Sequence, residues 1–149
     1  MAIILSRDQQ GFTIVELVVV IVLLGIISVT VLPRFFDIGG YRDRAAYDEL
    51  ASAIRYAQKL AVASGCEVQV ALAGNSYALQ QHATDCTTGS FVDISNHPVT
   101  TGTFPNVGLS SSTSSFIFNA MGRSSQLVTV GVGGRTISVV AETGYVDAP

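Results

Sequence analysis

The sequence has little of the material from which metal centres, nucleic-acid sites and most active sites are built. It contains no tryptophan, two cysteines and two histidines, and 13% of its 149 residues are charged. Eight Lys and Arg against eleven Asp and Glu give a net charge of −3, which excludes a general nucleic-acid binder held by a basic surface. Neither a nucleophile motif nor a phosphate-loop spacing is present. We therefore predict no enzymatic activity, no cofactor and no metal site.

One long apolar run stands out instead. Sixteen of the 21 residues from 12 to 32 are Phe, Ile, Leu or Val. As a helix, 21 residues rise about 32 Å, close to the roughly 30 Å of bilayer hydrocarbon, so we expect a transmembrane helix over 12–32. The run is longer than the apolar region of about 7–15 residues in a cleaved signal peptide. A plain membrane anchor leaves Glu16 unexplained, because an acid inside such a run is by default a functional residue.

The start of this run resembles the N-terminal signature of type IV pilins and of the pseudopilins of type II secretion, in the string Gly11-Phe12-Thr13-Ile14-Val15-Glu16-Leu17. The resemblance implies that residues 1–11 are a leader peptide. It implies that a prepilin peptidase cuts between Gly11 and Phe12 and that Phe12 is then N-methylated. It also implies that Glu16 attracts the N-terminal amine of a neighbouring subunit, and a buried carboxylate needs such a cation.

The residues after the run extend this resemblance. Pro33 matches the proline that kinks pilin helices, because it lacks an N–H and its ring clashes with the preceding turn. The string Leu32-Pro33-Arg34-Phe35-Phe36-Asp37 resembles pilins of the mannose-sensitive hemagglutinin (MSHA) type.

Residues 33–65 carry the pattern of an amphipathic helix. Their apolar positions repeat at helical spacing and include Ala46, Leu50, Ala53, Ile54, Ala57, Leu60 and Ala61. Gly39 and Gly40 are expected to loosen its junction with the membrane segment, and Gly65 to end it. We interpret the two segments as one long helix, kinked at Pro33, whose second half packs on a sheet.

From residue 66 to 149 the period changes to 2, which predicts a β-rich globular domain. Hairpins are expected over 66–81 and 126–141, a strand over 115–118, and a loop with one or two strands over 84–115. Residues 141–146 complete or cap the sheet. The patterns Phe116-x-Phe118-x-x-x-Gly122 and Thr143-Gly144-x-Val146 resemble the minor pseudopilins of the GspH/FimT type. The fold implied is the α+β type IV pilin fold, a long helix packed on an antiparallel sheet.

The two cysteines flank the first predicted hairpin. A hairpin centred on Gly74 places Cys66 opposite roughly His82, and four more residues can return the chain from there to Cys86. A disulfide closing this loop stabilises by about 3 kcal/mol on the chain-entropy model and persists outside the cytosol. The alternative, a metal site of Cys66, His82 and Cys86, lacks a fourth ligand. We predict that His82 and His97 are otherwise surface residues.

The function implied is that of a minor pilin or pseudopilin. The chain is expected in the bacterial inner membrane, single-pass with a periplasmic C-terminal domain, and later in a pilus or pseudopilus. Expected partners are other pilin or pseudopilin subunits, prepilin peptidase, the inner-membrane assembly platform, and membrane lipid before assembly. The positive-inside count, with Arg7 before the run against Arg34, Arg42 and Arg44 after it, favours the opposite orientation. The family resemblance and the cysteines take precedence over that count.

Two alternatives remain at this point. The first is a DNA-binding minor pilin of the FimT type, although beyond Gly65 the basic residues are Arg123 and Arg135 against five acids. The second is a membrane-anchored binding domain that does not assemble, in which Glu16 is incidental.

Overall fold

The computed structural model describes residues 11–31, 38–95, 97 and 99–149. The chain divides into two compact units, residues 1–38 and 39–149. The leader predicted over 1–11 is described only at Gly11, and the kink predicted at Pro33 lies outside the described residues.

In the first unit, helix α1 spans Ile14–Val31. It starts two residues after the beginning of the predicted run because Thr13 caps it: the Thr13 hydroxyl accepts a hydrogen bond from the Glu16 N–H at 3.2 Å. No helix among the described residues reaches the combination of length and apolarity that a membrane crossing requires.

Helix α2 spans Ile38–Ser64, and Gly65, at a φ of +68°, ends it in the left-handed region as predicted. Gly39 and Gly40 lie in the first turn of the helix, and the junction with the membrane segment, where loosening was expected, lies outside the described residues. The predicted apolar face is buried apart from Leu60, which is partly buried, and it also includes Tyr47 and Ala51.

The described part of the second unit contains nine strands in two antiparallel sheets. The first sheet has the order β3-β2-β1-β6, with β4 also paired to β2; the second has the order β5-β7-β8-β9. The strands are β1 (Val68–Ala73), β2 (Ser76–His82), β3 (Phe91–Asp93), β4 (Thr101–Thr103), β5 (Leu109–Ser111), β6 (Ser115–Phe118), β7 (Val128–Val132), β8 (Arg135–Val139) and β9 (Val146–Asp147).

The two predicted hairpins are present, with β1 paired to β2 and β7 to β8. The middle of the domain differs from its prediction, because it holds the three short strands β3, β4 and β5 where one or two were expected. Three residues are too few for alternation to be visible in the sequence, so pairing with longer neighbours defines these strands. β9 completes the second sheet by pairing with β8.

One core joins α2 to both sheets. Leu50 and Ile54 of α2, Val68 and Phe116 of the first sheet, and Ile137 of the second are all 0–1% exposed and belong to a single cluster. The α+β architecture of a helix packed on antiparallel sheets is therefore confirmed for residues 39–149.

Candidate functional site

The described part of the first unit exposes apolar side chains on every side. Phe12 is 85% exposed, Ile14 is 83% exposed, and the large apolar residues from Val15 to Val29 are between 47% and 76% exposed. Burying the remaining exposed half of a dozen such side chains is worth about 10 kcal/mol or more. A surface of this kind marks a site of contact with other helices or with lipid.

The N-terminal site residues lie at the start of this surface. Gly11 and Phe12 precede α1 and are exposed, and Glu16 lies exposed in the first helical turn. The favourable interaction between a carboxylate and the positive end of the helix dipole suits an acid at this position. Sequence reasoning missed the capping role of Thr13, although the spacing Thr-x-x-Glu is the signal of a capping box.

A disulfide links Cys66 and Cys86, whose Cα atoms are 4.2 Å apart. The Glu67 N–H also donates to the Cys86 carbonyl at 2.9 Å. The disulfide and this hydrogen bond together hold the loop that ends at Cys86 against the start of β1. With both sulfurs in a disulfide, neither is available as a thiolate ligand. Within the described residues no three His, Cys, Asp or Glu side chains group as a metal site.

The surface prediction is wrong for His82, whose side chain is only 8% exposed. Its ring packs 4.1 Å from the Phe91 ring centroid, Nδ1 lies 2.9 Å from the Gly89 carbonyl oxygen, and Nε2 lies 3.2 Å from the Glu67 carboxylate. His82 lies on the side of β2 that faces away from the core, beside Glu67, and it is covered there by Phe91 of the neighbouring strand β3 and by the disulfide loop. His82 thus ties the disulfide loop to β1.

His97 is exposed as predicted, but it is not isolated. Its ring stacks on the Tyr56 ring of α2 with the centroids 4.6 Å apart. This contact helps to hold the segment that joins β3 to β4 against the helix.

The glycines of the two C-terminal sequence patterns meet. Gly122 and Gly144 have φ of +76° and +65°, and a Cβ built on Gly144 would overlap the Gly122 carbonyl oxygen. Gln58 of α2 completes this junction, because its Nε2 donates to the carbonyls of Gly122 at 3.1 Å and Thr143 at 3.2 Å. These contacts join the Gly122 loop, the Gly144 loop and α2 to one another.

A second polar contact between helix and sheet involves Tyr77 and Glu49. The Tyr77 hydroxyl donates to Glu49 Oε1 at 3.2 Å. Burial, and then the neighbouring Glu49 carboxylate, raise the pKa of Tyr77 well above its usual range. Gly102 lies against both side chains, and a Cβ there would be 2.6 Å from Glu49 Oε1.

The two basic residues of the β-domain, Arg123 and Arg135, lie on different elements. The Arg135 guanidinium lies 5.4 Å from the Tyr47 ring centroid, where it is engaged in packing against α2. Arg123 lies in the loop between β6 and β7, whereas Arg135 begins β8. No observation on the described residues favours DNA as a ligand.

Comparison with family models gives two matches that together span most of the chain. The model for the prokaryotic N-terminal methylation motif matches residues 6–32. The model for type II transport protein GspH matches residues 46–144.

Among curated proteins, the chain is similar to the type IV narrow pilus major component PilA5 of Thermus thermophilus. The two are 40% identical over 52 residues, which is 35% of this chain and 45% of PilA5. The chain thus spans about half the length of this relative.

Among solved structures, the chain is similar to two minor subunits. The type IV minor pilin FimU of Pseudomonas aeruginosa matches with a TM-score of 0.55 and 17% identity, over 71% of this chain and 87% of FimU. The minor pseudopilin EpsH from the type 2 secretion system of Vibrio cholerae matches with a TM-score of 0.59 and 11% identity, over 72% of this chain and 96% of EpsH. These likenesses concern the fold.

Proposed function

The chain belongs to the GspH family of type II transport proteins, and on that premise we propose that it is a minor pilin or pseudopilin subunit that assembles into a filament. The filament is a type IV pilus of the MSHA type or a type II secretion pseudopilus. The precursor is inserted in the bacterial inner membrane with residues 39–149 in the periplasm. Prepilin peptidase cuts it between Gly11 and Phe12, Phe12 is methylated, and the assembly platform then extracts it from lipid.

One observation carries this proposal: α1 exposes apolar side chains all round and carries a single acid, in its first turn. A helix that is apolar on every side is stable only in lipid or among other helices. The N-terminal methylation motif that overlaps this helix implies a membrane-anchored subunit. The apolar surface of α1 contacts lipid before assembly and neighbouring helices after it.

Glu16 gives the assembly its register. A carboxylate among packed apolar helices is costly unless a cation lies beside it, and the α-amine released by cleavage before Phe12 is such a cation. Thr13 holds the first turn in place by capping it, which keeps Glu16 close to the helix start. The pairing fixes the axial position of one subunit against the next, while apolar burial supplies the cohesion.

The family consists of structural subunits rather than enzymes, and the proposed mechanism needs no catalytic group in this chain. The disulfide between Cys66 and Cys86 fits a domain that folds in the periplasm, where such bonds persist.

The first test is the intact mass and N-terminal sequence of the protein recovered from a host that expresses a prepilin peptidase. A chain that begins at Phe12 and carries the mass of one methyl group supports the proposal. A chain that still begins at Met1 beside an active peptidase contradicts it and favours a plain anchored domain.

The second test compares Glu16→Leu with Ser28→Leu. Both replace a polar residue of α1 by leucine, but Ser28 lies in the last turn of the helix, and its hydroxyl donates a hydrogen bond to the Leu24 carbonyl at 2.7 Å. We expect both variants to enter the membrane and only Ser28→Leu to be incorporated in filaments. Equal incorporation of the two would remove the assembly role of Glu16.

A further inference from the structure

The ring of His82 lies between two oxygen acceptors from different parts of the chain. Nδ1 is 2.9 Å from the Gly89 carbonyl oxygen, and Nε2 is 3.2 Å from the Glu67 carboxylate. A carbonyl and an ionised carboxylate only accept hydrogen bonds, whereas a neutral imidazole donates from one of its two nitrogens and not from both. The two contacts are therefore hydrogen bonds at the same time only when the ring carries two protons and a positive charge.

Glu67 is the acid that pairs with this ring among the described residues. The loop and the strand next to His82 carry two further acids, and both have other partners. Asp85 accepts a hydrogen bond from a threonine of its own loop, and Asp93 of β3 accepts one from a glutamine of β2, each at 2.8 Å. Because residues 66–93 contain no Lys or Arg, the imidazolium is the one cation that this stretch of sequence offers to Glu67.

These ring contacts hold one end of residues 83–90, which we call the disulfide loop. All of its residues are exposed. Besides the disulfide, two backbone hydrogen bonds hold it: the Cys86 carbonyl accepts from the Glu67 N–H at 2.9 Å, and the Ser90 carbonyl accepts from the Ala83 N–H at 3.0 Å. Exposed segments with few buried apolar contacts open at a low cost in free energy. One hydrogen bond more or less therefore changes how often this loop opens.

We propose that His82 is a pH switch of the disulfide loop: its imidazolium holds the loop beside Glu67, and its neutral ring releases the loop. Histidine is the side chain whose charge ordinarily changes between pH 5 and 8. Loss of the proton leaves a lone pair of one ring nitrogen facing an oxygen, and it removes the attraction to the carboxylate. Because the closed loop favours the protonated ring, this stabilisation is present at low pH and is lost as the pH rises. The inference is independent of filament assembly, since it concerns the globular unit alone.

The test is hydrogen–deuterium exchange of the full chain in non-ionic detergent, resolved at single amides, at pH 5.5 and at pH 8.5. The reporting amides are those of Glu67 and Ala83, because their acceptors lie in the disulfide loop. The reference amide is that of Phe104, which donates to the Asn75 carbonyl at 2.8 Å, outside the loop. The intrinsic exchange rate at each pH is divided by the measured rate, and the resulting protection factor is compared with that of the reference.

Three variants separate the charge of the ring from other effects of pH. His82→Gln keeps a polar side chain but does not titrate, and Glu67→Gln removes the negative partner. His97→Gln is the matched control, because it removes the other histidine, which stacks on Tyr56 of α2.

We expect the protection of the reporting amides to fall at least about fivefold from pH 5.5 to pH 8.5 in the parent and in His97→Gln, as the loss of one hydrogen bond implies. The fall should be smaller in Glu67→Gln and below about twofold in His82→Gln. Equal protection of the parent at both pH values, or an equal fall in His82→Gln, would overturn the inference. If His82→Gln does not fold, Glu67→Gln decides, because that side chain is 32% exposed and keeps its size; an undiminished fall in Glu67→Gln would also overturn the inference.

Discussion

Replacing Gly144 by alanine tests whether the close contact between Gly122 and Gly144 stabilises the globular unit. The φ of +65° at this position costs an alanine about 1–2 kcal/mol. The added Cβ would also overlap the Gly122 carbonyl oxygen and lie 2.8 Å from Gln58 Nε2. Overpacking of this kind costs a further 1–3 kcal/mol or so.

Displacing Gln58 would add to this cost, because its side chain makes two hydrogen bonds there, each worth about 1 kcal/mol. The sum is about 4–7 kcal/mol, a large part of the roughly 5–15 kcal/mol that stabilises a typical domain. We therefore expect Gly144→Ala to lower the melting temperature by more than about 10 °C.

Gly65→Ala is the matched control. Gly65 has nearly the same φ, +68°, but no atom lies within 4 Å of a Cβ built there. Gly65→Ala should lower the free energy of unfolding only by the cost of the positive φ for alanine, about 1–2 kcal/mol. The measurement is thermal unfolding of the full chain in non-ionic detergent, followed by near-ultraviolet circular dichroism. Equal losses in the two variants would refute the reasoning, because the contact with Gly122 would then contribute nothing.

Three further predictions concern the globular unit. Removing the disulfide with the double variant Cys66→Ala/Cys86→Ala should lower the free energy of unfolding by about 3 kcal/mol, measured by chemical denaturation against the oxidised parent; no loss would show that His82 and the Glu67 backbone hydrogen bond hold the loop unaided. Because the folded-state pKa of Tyr77 is raised, its contribution to stability is intact below its unfolded pKa of about 10 and is lost at higher pH. The melting temperature should therefore fall above about pH 10 in the parent and fall less steeply in Tyr77→Phe; parallel curves would contradict this. His82→Ala should increase proteolysis within residues 83–90 at neutral pH, whereas His97→Ala should leave that loop as resistant as the parent.

Most of the secondary structure could be predicted because its signals are local. The 3.6-residue spacing of Leu50, Ile54 and Ala57 marks α2, and Gly65 marks its end. The turns at Gly74 and at Gly133-Gly134 mark two hairpins, and the hairpin brings Cys86 back towards Cys66. Each of these signals depends on residues that are close in sequence. Local stereochemistry is therefore enough to predict these elements.

The short strands and the position of His82 could not be predicted in the same way. β3, β4 and β5 have three residues each, and pairing with longer strands selects them. His82 was expected at the surface because it belongs to no recognisable motif, but Phe91 of β3 and the Gly89 carbonyl of the disulfide loop cover its ring. Such cover depends on where the loop and the next strand return in the folded chain, and not on the residue itself.

For function, the motif around Glu16 and the apolar run could be recognised from the sequence alone, because an acid among apolar residues is conspicuous there. The contact of Gly122 with Gly144 and the hydrogen bond from Tyr77 to Glu49 required the folded chain. The two pairs lie 22 and 28 positions apart, and only the packing of α2 and the loops against both sheets brings them together. Local patterns thus specify which elements form, whereas the burial of apolar surface between those elements specifies which surfaces the protein presents to its neighbours.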